Sequence, residues 1–125
     1  MTRPTPPRLV LPYPPSVNRL YRSRAVGKRV FPYKTHEHRD YLKAVREAAG
    51  DVEPRAKPAL LVVHVQLFRP MRRGDIDGPV KALFDALNGI AWEDDSQVVE
   101  LHLRRGDDKE RPRVEVSIHE VEQEA

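Results

Sequence analysis

ALLVVHVQLF, residues 59–68, is an apolar run broken only by His64 and Gln66. It has the length of a strand rather than a helix, and Val62, Val63 and Val65 supply the β-branched side chains that strands favour. Apolar residues at both alternating sets of positions predict a central strand buried on both faces. His64 inside such a run reads as a core histidine satisfied by its neighbours.

The rest of the chain is read outward from that strand. RPMRRGDIDG, residues 69–78, is a polar loop. A helix follows from about Pro79 to Asn88, with Val80, Leu83, Phe84 and Leu87 on one face. Pro79 is tolerated in the first turn, where no intrahelical bond is lost, and Gly89 ends the helix. SQVVELHLRR, residues 96–105, alternates: Val99, Leu101 and Leu103 on one side, Glu100, His102 and Arg104 on the other. RVEVSIHEV alternates likewise through Val114, Val116 and Ile118, and GDDKERP between them is a turn, so the two strands are expected to form an antiparallel C-terminal hairpin.

Upstream, a helix is expected from Thr35, a natural cap, to Ala49, with Gly50 as its stop. Leu42, Val45 and Ala49 recur on it at helical spacing. Leu9 to Leu11 form a short strand stopped by Pro12, Pro14 and Pro15. Between them, Asn18 to Lys34 mixes Arg19, Arg22, Arg24, Lys28 and Arg29 with Tyr21, Phe31 and Tyr33, and Gly27 allows a turn between two extended pieces. Basic and aromatic residues so interleaved suit phosphate contact with base stacking, and equally an exposed hairpin. The class is α+β: one small domain over residues 1–125, a mixed β-sheet with two main helices and a C-terminal β-hairpin. Residues 1–8 and 120–125 are expected to be flexible.

Composition narrows the chemistry. There is no cysteine, which removes disulfides, thiolate metal sites and thiol catalysis, and leaves carboxylates and imidazoles as ligands. Mean hydropathy is −0.64. The N-terminus lacks a secretion signal's apolar core and no stretch has the length of a membrane span, so a cytoplasmic location is expected. Residues 1–50 carry eleven Lys/Arg against three acids, and residues 51–125 carry eleven against sixteen. A basic half beside an acidic half fits a protein that grips a polyanion with one region and gathers carboxylates in the other, or a solvated surface with chance clustering.

Two acidic patches stand out. Asp75 and Asp77 flank Ile76 just ahead of the second helix, where Asp77 is a natural N-cap. A cap needs only one acid, and Asp75 is left over. Lys81 lies four residues past Asp77 and four before Asp85, which a surface ion-pair ladder also explains. The second patch, Glu93-Asp94-Asp95, lies between that helix and the next strand. If the chain turns back along the helix, its carboxylates meet the first pair, and such a cluster needs a hard cation such as Mg²⁺. A zinc site is disfavoured, because His36 and His38 are not at helical ligand spacing. Asp-x-Asp-Gly also resembles the nucleophile motif of haloacid-dehalogenase-type phosphatases, but there the apolar strand runs directly into the motif. Here RPMRRG intervenes.

LPYPPSVNRLYR (residues 11–22) and RRGDIDGPVKALFDALNGIAWEDDSQV (residues 72–98), in this order and spacing, resemble the RusA-type Holliday junction resolvases. The resemblance covers nearly the whole chain. It implies a homodimeric, Mg²⁺-dependent endonuclease, with Mn²⁺ as an alternative cation, that cuts four-way junction DNA symmetrically in recombination and repair. Carried over residue by residue, Asp75, Asp77 and Asp95 match the metal-binding catalytic acids and Lys81 the essential lysine. Asn18 and Tyr21 match the N-terminal signature, for site architecture or DNA contact. Arg19, Arg22, Arg24, Arg72 and Arg73 are expected to bind phosphates. Gly78 stands where the family usually has asparagine. The alternatives are a non-catalytic branched-DNA-binding module and a metal nuclease acting on other branched DNA.

Overall fold

The computed structural model describes residues 8–15, 21–26, 29–70, 76 and 78–121, with the backbone alone for 21–26 and 29–34. In chain order the elements are β1 (Arg8–Leu11), β2 (Tyr21–Val26), β3 (Arg29–Lys34), α1 (His36–Ala49), β4 (Leu61–Arg69), α2 (Val80–Leu87), a 3-10 turn (Asp95–Gln97), β5 (Val98–Asp107) and β6 (Arg113–Glu120). The order β1-β6-β4-β5 makes a four-stranded mixed sheet, and β2 and β3 form a separate antiparallel pair. The α+β reading stands, with β4 central as its sequence requires. No helix among the described residues is long and apolar enough to cross a membrane. Arg8 and Glu120, at the inner edges of the segments expected to be flexible, are strand residues.

Three expectations about the sheet need correction. First, β5 and β6 are not hydrogen-bonded to each other: β4 lies between them, parallel to β5 and antiparallel to β6. The turn after β5 therefore steps across a strand. Second, β4 is buried on one face only. Leu61, Val63, Val65 and Leu67 point into the core, while His64 is exposed on the other face. There its ring stacks on His102 of β5 at 4.5 Å and 6°, and meets His119 of β6 edge-on at 5.5 Å. Third, Val99 does not join Leu101 and Leu103. Leu61 pairs with Val98 and Val62 with Glu100, so Val99 is the extra residue of a bulge, and it is 54% exposed.

Both helices pack on the inner face. Thr35 caps α1 by accepting from the His38 amide at 3.3 Å. Gly50 closes α1 at φ 64°, where a side chain would strain the backbone. Tyr41, Val45 and Ala49 of α1 join Ala82, Leu83, Ala86 and Leu87 of α2 against the sheet. Tyr41 donates its hydroxyl to the Pro12 carbonyl at 2.9 Å, which anchors the proline stretch after β1; burial pushes this phenol's pKa up. Between the helices, fully buried His38 places Nε2 3.9 Å from Asp85 Oδ2. The N-cap of α2 is Pro79, not Asp77; Asp77 itself lies outside the described residues.

Two measurements check this packing. Trp92 is fully buried, so Trp92→Ala should cost about 3–5 kcal/mol in urea unfolding; a loss under about 1 kcal/mol would contradict its place in the core. The His64 pKa is lowered, by burial first and then by the charges of His102 and His119. Below the ordinary value near 6.5, the unfolded chain therefore binds more protons at this residue than the folded one. Its contribution is neutral at higher pH and destabilising on acidification. His64→Gln should flatten the fall in melting temperature between pH 7 and pH 5, and an unchanged slope would count against the cluster.

Candidate active site

The acidic turn is built from the end of α2. Asn88 caps the helix, and Gly89 at φ 80° reverses the chain. The reversal brings Trp92 edge-on to Phe84, at 5.2 Å and 70°, with its indole N–H donating to Asn88 Oδ1 at 2.7 Å. Glu93 and Asp94 then lead into the 3-10 turn at the foot of β5.

The three acids of this turn have different tasks. Glu93 Oε2 accepts from the Lys57 amide at 3.1 Å. Asp94 caps the 3-10 turn in a capping box with Gln97, accepts the Ser96 hydroxyl at 2.7 Å and faces Lys57 Nζ at 3.7 Å. The Ser96 hydrogen bond, assisted by Lys57 and the backbone amides of Asp95 and Ser96, holds the Asp94 carboxyl below the usual carboxylate range. Asp95 is exposed, and its carboxylate has no hydrogen bond or ion pair within the described residues. Of the adjacent pair, Asp94 holds the turn together, and Asp95 makes no side-chain contact among the described residues.

Lys81 is the second residue of α2 and is exposed. It belongs to the helix's first turn, whereas the acidic turn follows the chain reversal after its last. Asp75, Asp77, Asn18, Arg19, Arg72 and Arg73 lie outside the described residues. Tyr21, Arg22 and Arg24 are on β2, registered against Lys34, Tyr33 and Phe31 of β3. The described residues contain no group of three acids or histidines able to hold a metal. The donor the structure offers, an open carboxylate in a chain without cysteine, fits a hard, oxygen-ligated cation.

Two residues of this site escaped the sequence reading. Lys57 is nearly forty positions from Asp94 in the chain, and no local pattern pairs them. Gln97 is buried and makes four side-chain hydrogen bonds; its trace in the sequence is its place in Trp-x-Asp-Asp-x-Gln-Val. On the opposite face of the sheet a groove of about 380 Å³ is lined by Arg8, His64, Gln66, Phe68, His102, Arg104, Glu115 and Ser117. Glu115 ion-pairs with Arg8 at 2.9 Å and with Arg113 at 3.5 Å there.

Comparison with known proteins agrees with the motif. The family model described as Endodeoxyribonuclease RusA matches residues 12–119. The chain is 32% identical over 116 residues to the Crossover junction endodeoxyribonuclease RusA of Shigella sonnei, covering 90% of this chain and 93% of that protein. It is 30% identical over 115 residues to the enzyme of the same name from Enterobacteria phage 82, covering 90% and 93%. A shorter match, 49% over 55 residues, relates 44% of the chain to 38% of the uncharacterized protein YqaN of Bacillus subtilis. Since the family match runs from the proline stretch after β1 to the penultimate residue of β6, the chain belongs to the RusA endodeoxyribonuclease family.

Proposed function

We propose that this protein is a Mg²⁺-dependent endodeoxyribonuclease that resolves four-way DNA junctions by paired cuts, acting as a cytoplasmic homodimer in recombination and repair. The observation that carries the reading is the open Asp95 carboxylate, on a turn whose other acids are engaged, within the span matched to the family. The crossover-junction activity printed for the relatives supports it.

Asp75, Asp77 and Asp95 would hold the cation, or Mn²⁺ in its place. When bound, such a cation neutralises phosphate charge and makes water a better nucleophile. Lys81 contributes a fixed positive charge toward the phosphate or leaving oxygen as charge develops there. Asn18 and Tyr21, of the N-terminal signature, would serve site architecture or DNA contact. Arg19, Arg22, Arg24, Arg72 and Arg73 contact backbone phosphates, which fixes register on DNA without reading sequence. Opposed cuts on two strands need two sites related by a two-fold axis, hence the dimer.

Asp75→Asn and Asp95→Asn should each lower junction cleavage by more than about 100-fold, since even an outer-shell change at a metal site costs about 10–100-fold. Junction binding in a gel shift should survive both changes. Asp94→Asn should instead lower the melting temperature slightly and keep most of the cutting. Full cleavage by Asp95→Asn, or equal losses in the Asp94 and Asp95 variants, would contradict the assignment. Removing a phosphate contact, as in Arg22→Ala or Arg24→Ala, should make the slope of log affinity against log salt shallower by about 1. An unchanged slope would remove β2 from the DNA interface.

A further inference from the structure

We infer that Gln97 is a positioning residue for the cation site: it fixes where Asp95 sits, and so sets the site's affinity for a divalent metal. The inference rests on the function proposed above. Its geometric basis is a side chain only 3% exposed whose amide is fully used. Oε1 accepts from the backbone amides of Glu93 at 2.9 Å and Asp94 at 3.0 Å. Nε2 donates to the carbonyls of Arg55 and Ala59, both at 3.0 Å. A primary amide has two donor hydrogens and an oxygen with two lone pairs, and all four are engaged.

These bonds join two segments far apart in sequence. One is the acidic turn that enters β5, and the other is residues 55–59, which lead into β4. Backbone bonds reinforce the seam: Arg55 N to Ala91 O at 3.0 Å, and Glu93 N to Arg55 O at 3.3 Å. The Gln97 amide also donates from its own backbone to Asp94 O at 3.1 Å. Asp95 therefore lies inside a turn pinned at both ends by one residue. Its own carboxylate adds no contact within the described residues, so its position is inherited from Gln97 through the backbone.

No other side chain reproduces this. Glutamate has acceptors only and would turn an oxygen on two carbonyls. An apolar residue would leave buried amides and carbonyls unpaired. Asparagine keeps the amide but is one methylene short of bridging both segments.

The test is direct metal binding. Mn²⁺ would be titrated into the full chain well below its melting temperature, with free Mn²⁺ read by electron paramagnetic resonance, for wild type, Asp95→Asn and Gln97→Glu. The expected result is about tenfold weaker binding in Gln97→Glu, with faster hydrogen exchange at the Glu93 and Asp94 amides. A purely structural role would lower the melting temperature without moving the affinity of the folded protein. If Gln97→Glu does not fold, Gln97→Asn serves in the same titration and should show a smaller loss in the same direction. Wild-type Mn²⁺ affinity in a folded Gln97 variant, with Asp95→Asn impaired, would overturn the inference and leave the proposed function intact. Equal affinity in wild type and Asp95→Asn would overturn the metal assignment, and this inference with it.

Discussion

The parallel pairing of β4 with β5 is the constraint on which the rest of the structure depends. Parallel neighbours cannot be joined by a tight turn, so the chain must cross over the sheet between them. Here the crossover is residues 70–79 followed by α2. Lys81 lies in the first turn of α2, and the acidic turn follows that helix at the foot of β5. Pairing Leu61 with Val98 also brings the entries of both strands together. There Gln97, Arg55 and Trp92 tie residues 55–59 to residues 91–97. The same pairing forms the seam that ties the acidic turn to the entry of β4.

Charge is distributed along the same lines. Several ionic side chains in the described structure are neutralised locally: Arg69 with Asp107, Arg113 with Asp108, Arg8 with Glu115, Arg55 with Glu120. Within the acidic turn, Asp94 is matched by Lys57 and Ser96. Asp95 differs from its neighbour: it is exposed, and its carboxylate has no partner among the described residues.

Much of this was legible in the sequence, for reasons that can be traced. Thr35 and Gly50 bounded α1 because capping is a local effect, and the β-branched run of β4 identified the central strand. The hairpin expectation failed because alternation and a turn signal say that two strands are antiparallel, not whether a third lies between them. His64 was misplaced because β4 is apolar on both of its alternating sets, which hides that only one face meets the helices. The resemblance singles out Asp95 of the adjacent pair, whereas the capping contacts of Asp94 are visible only in the structure. Lys57 and the reach of Gln97 depend on tertiary contacts, about forty residues away in sequence, that no local pattern encodes.

The most direct measurement is to map the products of the wild-type protein on a labelled synthetic four-way junction, beside a linear duplex of the same sequence, with and without Mg²⁺. The account predicts paired cuts at symmetry-related positions on the junction, only with the cation, and none on the duplex. Tight junction binding without cleavage under Mg²⁺ or Mn²⁺ would contradict it, and so would equal cutting of the linear duplex.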